Sequence, residues 1–169
     1  GFDGNDMPPL KPAKTKLPAA AIAAAEAAAR QDEPLFLLLD GHDDQAKFCR
    51  RVLGRILHYA ASLVPSVTTT PQDIDDAMKL GFNWQRGPFE MIDAIGPQRF
   101  AALLDECDLT IPAFLEDGAP NYSVQAGTLM VRHADGARQP VNLPAGVMRF
   151  HMTRRTLHPI LTNDAASLF

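Results

Sequence analysis

The sequence predicts a mainly α-helical domain followed by a small antiparallel β-hairpin. An apolar repeat with three- and four-residue spacing begins near Gln45, as expected for one face of a helix. Later segments begin with a proline and end at a glycine, which is typical of short helices. After Pro120, short runs with strand composition surround an Asp-Gly pair, which favours a tight hairpin turn.

The chain begins with a segment that has no periodicity. We expect residues 1–33 to form a linker or arm plus an alanine-rich helix, since alanine has the best helix propensity and Pro18 suits a first helical turn. Residues 40–44 indicate a turn that carries a helix cap. Residues 34–118 are then predicted to form the helical domain.

The helix that begins near Gln45 has the clearest period in the chain, and Pro65 should end it. Its predicted broad apolar stripe consists of Phe48, Val52, Ile56, Ala60 and Leu63, flanked by Leu53, Leu57 and Val64. Arg50, Arg51 and Arg55 lie largely off this stripe.

The next helix should begin with Thr70 as its cap and Pro71 in its first turn. Asp73, Asp75 and Asp76 follow, and we interpret these carboxylates as capping and as compensating the helix dipole. Gly81 is predicted to close the helix in the left-handed conformation.

Shorter elements follow. Helices are predicted over residues 88–95, closed by Gly96, and over 97–104, with one more helical turn over 112–115. Residues 119–152 are expected to form the β-hairpin extension. Its strands are predicted over residues 122–124, 128–131, 141–143 and 147–150, with a turn at 133–136. Residues 153–169 form a tail that is expected to lead into a further domain.

The composition indicates a globular intracellular protein. Hydrophobic residues make up 46% of the chain and charged residues 21%, and the net charge of -4 does not favour nucleic acid as a partner. No apolar run is long enough to span a membrane, and no signal peptide is apparent, so we expect a cytoplasmic location. Cys49 and Cys107 are predicted to be free buried thiols. The absence of an initiator Met suggests a piece of a longer protein.

The usual signatures of cofactor and metal sites are missing from the sequence. Neither GxGxxG nor a P-loop occurs, so we expect the chain itself to bind neither NAD nor ATP in the usual way. The histidines lack metal-site spacing, and we predict no metal site; they are His42, His58, His133, His151 and His158. His58 is expected to lie on a helix flank or at an interface.

Two basic groups could face a phosphate, or could be solvated or contact a neighbouring domain. One consists of Arg50, Arg51 and Arg55, and the other of Arg149, Arg154 and Arg155. Convergence of the two groups in space would favour phosphate binding.

The segment from Gly81 to Glu90 differs from an ordinary polar loop. It holds two glycines, a proline, two phenylalanines and Trp84, the single tryptophan of the chain. Such a composition predicts a buried joint between two helices that holds one conformation.

This segment resembles the C-terminal domain of 3-hydroxyacyl-CoA dehydrogenases, whose pattern is I-D-x-A-M-x-x-G-F-N-W-x-x-G-P-F-E-x-x-D-x-x-G. The resemblance covers roughly residues 46–104. The matching positions that we single out as structural, with a role in interdomain contact, are Asp75, Gly81, Phe82, Asn83, Trp84, Gly87, Pro88, Phe89, Glu90, Asp93 and Gly96. None of them is expected to be catalytic or to bind a cofactor.

The resemblance implies a parent enzyme of fatty-acid β-oxidation that transfers hydride between NAD and an acyl-CoA. Gly54 stands where the better-known form of the domain has an Asn near the substrate, which implies the second, buttressing repeat of two. The implied partners are the NAD-binding domain of the same polypeptide, the acyl-CoA substrate and, in a homodimer, a second copy of the chain. Residues 160–169 also resemble the lead-in to an enoyl-CoA hydratase domain. The alternatives are a non-catalytic interaction or dimerisation module and, with no positive support, a stand-alone hydrolase.

Overall fold

A computed structural model of the chain describes residues 39–143, together with residues 21–23, 25, 26, 35, 160–162, 167 and 168. Residues 21–23, 25 and 26 are helical, within the predicted alanine-rich helix. The predicted strand 147–150 lies outside the described residues, as do His151, His158 and the second basic group, Arg149, Arg154 and Arg155. The chain divides into two compact units, residues 1–49 and 50–169.

The helical part follows the predicted order. The elements are α1 (Asp44–Ser62), α2 (Pro71–Phe82), α3 (Pro88–Ile95), α4 (Pro97–Asp105) and a single 3-10 turn (Ala113–Leu115). The Asp43 carboxylate caps α1 by accepting from the Ala46 amide at 2.7 Å, and Thr70 Oγ1 accepts from the Gln72 amide at 3.3 Å. Prolines occupy the first turns of α2, α3 and α4, so the predicted start signals are confirmed.

The predicted end of α2 is wrong by two residues. Asn83, not Gly81, adopts the left-handed conformation, with φ 55° and ψ 34°. Asparagine tolerates this region because its short polar side chain bonds locally. The amides of Asn83 and Trp84 both donate to the Met78 carbonyl, which ends the helix.

The predicted apolar stripe of α1 is wrong for its first three residues. Phe48, Val52 and Ile56 are exposed by 68%, 40% and 36%. The buried face carries Gly54, Leu57, Ala60 and Ala61, and Val64 is buried just after the helix, so Leu57, Ala60 and Val64 were predicted correctly. A Cβ on Gly54 would lie 2.8 Å from Cys107 Sγ, so close approach of the chain after α4 selects this face of α1. The contact is therefore formed by a glycine and alanines together with Leu57, and not by Phe48, Val52 and Ile56.

A three-stranded antiparallel sheet follows the helices, as predicted. Its strands are β1 (Tyr122–Gln125), β2 (Thr128–Arg132) and β3 (Arg138–Pro140), in that spatial order. Tyr122 lies opposite Val131, and Val131 lies opposite Gln139. Ala126 and Gly127 both have positive φ in the turn between β1 and β2, as two-residue hairpin turns require.

The return strand begins three residues earlier than predicted. The His133 amide donates to the Ala137 carbonyl at 2.8 Å, and Gly136 has φ +81°, so the turn closes at once and β3 starts at Arg138. Near the end of the chain, β4 (Leu161–Thr162) pairs with β5 (Ser167–Leu168). The sequence did not predict this pair, because two-residue strands are too short to show a period.

Hydrogen bonds and packing join the sheet to the helical part. The rings of Phe89 in α3 and Phe114 are nearly perpendicular, and their centroids lie 6.0 Å apart. The Arg132 guanidinium lies 4.2 Å from the centroid of the Phe114 ring. Arg132 also donates to the Asp117 carboxylate at 2.6 Å and to the Phe114 carbonyl. The Thr69 carbonyl accepts from the Ala134 amide at 2.8 Å. The sheet is therefore held against α3 and the loop before α2.

Candidate functional site

The family-like motif divides into two halves with opposite environments. Residues 87–90 are all buried, whereas residues 81–83 and 85 are exposed and Trp84 is half-buried. Phe82 is exposed by 70%, and Leu80 of the same helical turn by 85%. The expectation that the whole segment is buried is thus wrong for its first half, because the last turn of α2 extends past the core before Asn83 ends it.

Asp75 is the central residue of the buried half. It lies on α2 and is fully buried. Its oxygens accept from the amides of Phe89 at 2.8 Å and Glu90 at 3.2 Å, and from the Tyr122 hydroxyl at 2.8 Å. The two amides belong to the first turn of α3, where helix N–H groups lack partners within the helix. Asp75 therefore caps α3 rather than its own helix, which corrects the sequence interpretation for this residue.

Gly87 makes this contact possible. A Cβ built on Gly87 would overlap the side chain of Asp75, so no larger residue fits at this position without a shift. The Gly87 amide donates to Glu90 Oε2 at 3.0 Å, as in a capping box. Glu90 Oε1 in turn accepts from Lys79 Nζ at 2.5 Å, with both side chains largely buried. The second half of the motif is thus a joint between α2 and α3.

Asp93 connects α3 to the sheet. Its Oδ1 accepts from the backbone amide and the side-chain Nδ2 of Asn121, each at 2.8 Å, and its Oδ2 accepts from the Tyr122 amide at 2.7 Å. Because the Tyr122 hydroxyl bonds to Asp75, the first residue of β1 is held by two carboxylates of the motif. We call Asp75, Glu90 and Asp93, with the groups that they bind, the carboxylate joint.

Burial dominates the electrostatics of the joint. It raises the pKa of Asp75 from 3.8 to about 7, with the Phe89 amide opposing the shift and the nearby Glu90 charge adding to it. Burial also raises the pKa of Tyr122, and the Asp75 charge raises it further. The Tyr122 hydroxyl therefore stays protonated and remains a donor.

A buried carboxylate with a raised pKa beside a tyrosine and a lysine could suggest an acid–base site. The geometry favours a structural role instead. Asp75 has no exposed surface, and both of its oxygens accept hydrogen bonds from the protein. A general base needs to reach the substrate proton directly or through one water. No described path brings a substrate to Asp75.

The other candidates from the sequence differ in burial. His42 is exposed, and His58 and His133 are half-buried in different elements. No group of three or more metal-ligating side chains occurs within the described part of the chain. Both cysteines are free; Cys107 is buried as predicted, but Cys49 is only half-buried. Burial raises the pKa of the Cys107 thiol.

The first basic group does not act as one cluster. Arg50 forms a two-pronged ion pair with Glu106, at 2.7 and 3.0 Å, while Arg51 and Arg55 are exposed.

No described helix is long and apolar enough to cross a membrane.

Sequence reasoning missed three members of the joint. Lys79, Asn121 and Tyr122 complete it, but Asn121 and Tyr122 lie 28 and 47 residues from the carboxylates they bind. The one sequence signal for Tyr122 was its position at the start of a predicted strand. Lys79 lies within the motif at a position where the family pattern allows any residue.

A known family model matches the part of the chain that contains the joint. Residues 48–126 match the family model described as 3-hydroxyacyl-CoA dehydrogenase, C-terminal domain, which includes the whole joint and the first strand. No solved structure gives a significant match.

Relatives of this chain are much longer proteins. A Bacillus subtilis protein named as a 3-hydroxyacyl-CoA dehydrogenase is 26% identical over 159 residues, covering 92% of this chain and 20% of its own length. Fatty acid oxidation complex trifunctional enzymes, as they are named, are similar over shorter stretches. The Rickettsia felis protein is 40% identical over 63 residues (37% of this chain, 9% of its own), and the Rickettsia prowazekii protein 36% over 72 (43% and 10%).

This chain therefore spans a fifth or less of the length of these relatives. The family match, the motif and the helical fold with its small sheet agree with one another. Residues 48–126 thus match the C-terminal domain family of 3-hydroxyacyl-CoA dehydrogenases, in agreement with the resemblance carried by the motif.

Proposed function

We propose that this chain is the C-terminal helical domain of an NAD-dependent 3-hydroxyacyl-CoA dehydrogenase of fatty-acid oxidation. In this role it helps to close the acyl-CoA cleft and buttresses the NAD-binding domain of the same polypeptide. The observation that carries the proposal is the division of the motif. Leu80 and Phe82 stand exposed on a helix end whose neighbouring segment is fixed by the carboxylate joint.

The joint suits a docking role because it gives the exposed turn a defined position. Asp75 and Glu90 hold the start of α3, and Asn83 ends α2 within four residues of Gly87. An apolar side chain that moves from water into an interface stabilises the contact by about 1.5–3 kcal/mol when fully buried. Leu80 and Phe82 are therefore suited to pack against a second domain.

The chemistry belongs to the proposed parent enzyme. The cofactor carries the hydride, and the protein domains bind and orient the reactants. The titratable groups of the motif in this chain are engaged in structural hydrogen bonds. We therefore expect no dehydrogenase turnover from the 169-residue chain alone.

Kinetics of the complete polypeptide with Phe82→Ser test the docking role. NADH-dependent reduction of acetoacetyl-CoA should lose at least about tenfold in kcat/KM, the effect of about 1.4 kcal/mol of lost interdomain contact. Val124→Ser is the matched control, since Val124 is an exposed apolar residue of β1. Unchanged kcat/KM in a folded Phe82→Ser enzyme would overturn the docking role. An upstream reading frame without a strand–GxGxxG–helix unit would overturn the dehydrogenase assignment itself.

A second function, an interaction or dimerisation module, is favoured by one specific observation. Val52, Ile56 and Tyr59 leave an apolar face of α1 exposed, with Tyr59 exposed by 66%. Titration of acetoacetyl-CoA into the chain by calorimetry separates the two functions. The interaction module would be favoured if millimolar acetoacetyl-CoA gave no heat of binding and if sedimentation showed a mass that rises with protein concentration. Tyr59→Ser should abolish that rise.

A further inference from the structure

Several carboxylates lie close together where α2 meets α3. Asp75 and Glu90 are buried, and Asp76, the next residue of α2, is half-buried. Lys79 Nζ lies 2.5 Å from Glu90 Oε1 and 3.9 Å from Asp76 Oδ1. Asp75 instead accepts its hydrogen bonds from uncharged groups, two amides of α3 and the Tyr122 hydroxyl of β1. The most deeply buried of these carboxylates is therefore bound by neutral donors and not by a cation.

Water cannot reach Asp75 while α3 is held against α2. Asp75 has no exposed surface, and a Cβ built on Gly87 would overlap its carboxyl group. A gap that is too small for a methyl group is also too small for a water molecule. An ionised Asp75 can therefore be hydrated only if the segment around Gly87 moves away from α2. This movement would also separate Asp75 from the amides of the first turn of α3.

The surroundings of Asp75 disfavour its charge. Burial raises its pKa from 3.8 to about 7, and the Glu90 charge adds to the rise, whereas the Phe89 amide, the Tyr122 hydroxyl and the Lys79 charge oppose it. The protonated side chain still has an acceptor oxygen for the Phe89 amide. It also stays bonded to the Tyr122 hydroxyl, which can accept as well as donate. Protonation therefore removes the buried charge and keeps these contacts.

We propose that protonation of Asp75 controls a local opening of the joint between α2 and α3. Protonated Asp75 holds the first turn of α3 against α2. When Asp75 loses its proton, the segment around Gly87 opens more often, because the open state gives the carboxylate access to water and separates it from the Glu90 charge.

The consequence for a partner domain rests on the proposed docking role. The turn that carries Phe82 joins α2 to the segment that opens, so each opening also loosens the position of Phe82. The opening itself needs no partner domain and can be measured in this chain. Unchanged kcat/KM in the complete Phe82→Ser enzyme would remove the docking role and leave the proton-linked opening to be judged by hydrogen exchange.

Hydrogen exchange of single amides measures the opening in the ¹⁵N-labelled chain. The amides of Phe89 and Glu90 donate to Asp75, whereas the Phe100 amide donates to the Gly96 carbonyl at the start of α4. After correction for intrinsic exchange rates, the opening constants of Phe89 and Glu90 should exceed that of Phe100. They should also rise at least about tenfold between pH 5 and pH 7.

Two results of this exchange series would overturn the proposal. Equal opening constants at Phe89, Glu90 and Phe100 would mean that the joint opens only when the whole domain unfolds. A rise of less than about twofold at Phe89 would mean that opening releases no proton over this range.

Matched variants test which carboxylate is responsible. Asp75→Asn has no titrating group and should abolish the rise at Phe89, whereas Asp73→Asn, at an exposed position of the same helix, should leave it unchanged. A rise of the same size in Asp75→Asn would overturn the assignment to Asp75. If Asp75→Asn does not fold, the wild-type ¹³C signal of the Asp75 carboxyl decides, since it should titrate over the range in which Phe89 opens. A midpoint below about pH 5 would then overturn the proposal.

Discussion

The two halves of the motif share one short sequence but differ in what determines each residue. Residues 87–90 are all buried: a Cβ on Gly87 would overlap Asp75, Phe89 is fully buried, and Glu90 binds Lys79. In residues 81–85 the backbone is fixed by the left-handed Asn83, but Phe82 points to solvent. Folding therefore explains the second half, whereas the docking role proposed above would account for the exposed phenylalanine in the first.

The largest expected effect contrasts the two phenylalanines. Phe89→Ala should lower the free energy of unfolding by about 3–5 kcal/mol, because it removes a fully buried ring from beside Phe114. Phe82→Ala should change it by no more than about 0.5 kcal/mol, since Phe82 is mostly exposed. Urea unfolding followed by circular dichroism measures both. Similar losses in the two variants would remove the distinction between the halves.

Substitution by alanine should have opposite effects on stability at Gly87 and at Gly81. Gly87→Ala forces a Cβ into Asp75 and should destabilise the chain by about 3 kcal/mol. Gly81 has open space around it and ordinary helical geometry in α2, so Gly81→Ala should stabilise by about 0.5–1 kcal/mol through helix propensity. Thermal unfolding midpoints of the two variants should move in opposite directions. A stable Gly87→Ala protein would show that Asp75 can cap α3 from another position.

The aspartates of α2 allow a similar contrast. Asp75→Ala leaves two amides and a tyrosine hydroxyl without their acceptor, and should cost about 2–3 kcal/mol. Asp73→Ala removes an exposed carboxylate that accepts from the Thr68 hydroxyl, and should cost at most about 1 kcal/mol. Urea titration of both variants at pH 6 gives the comparison. A greater loss for Asp73→Ala would return the capping role to the start of α2.

Because folding raises the carboxyl pKa of Asp75, its contribution to the free energy of unfolding should fall as the pH rises. The folded state holds the Asp75 proton up to a pKa of about 7, against 3.8 ordinarily, so it binds more protons than the unfolded chain between these values. The stability that Asp75 contributes is therefore full below pH 3.8 and is lost as the pH rises through 7.

Asp75→Asn should remove this decline, so the stability gap between wild type and variant should narrow as pH rises from 4 to 7.5. Unfolding free energies at several pH values test this, and a gap that widens with pH would contradict it. Asp117 acts in the opposite sense: the Arg132 hydrogen bonds lower its pKa, so its contribution is lost only under more acidic conditions.

Local signals in the sequence were sufficient for the helix starts and the hairpin. Proline in the first turn, a capping threonine and an Asp-Gly turn act within a few residues, and the helix starts and the turn lie where they indicate, although β3 begins three residues earlier than predicted. The buried face of α1 was not predictable in the same way. Apolar size favoured Phe48 and Val52, but the contact is chosen by Gly54 and its approach to Cys107, 53 residues further along the chain.

The candidate site shows the same contrast between local sequence signals and contacts that form only on folding. The motif identified the family because many matches occur at fixed spacing. It could not reveal that Asp75 serves the next helix, because that role depends on Phe89 and Tyr122, which are brought to it only by folding. Asn121 carries no local signal, because its bonds to Asp93 form only on folding.

Gln72 has a consequence for the behaviour of the chain among other chains. Its side-chain amide donates to the Asn142 carbonyl at 2.5 Å and accepts from the Asn142 amide at 2.9 Å, just after β3. Val141 bonds to Leu129 on the inner side, so the groups of Asn142 that Gln72 satisfies belong to the outer edge of the sheet. An unpaired strand edge is a template for pairing with foreign strands. Gln72 thus occupies the edge position to which a strand from another chain would otherwise form its first hydrogen bonds.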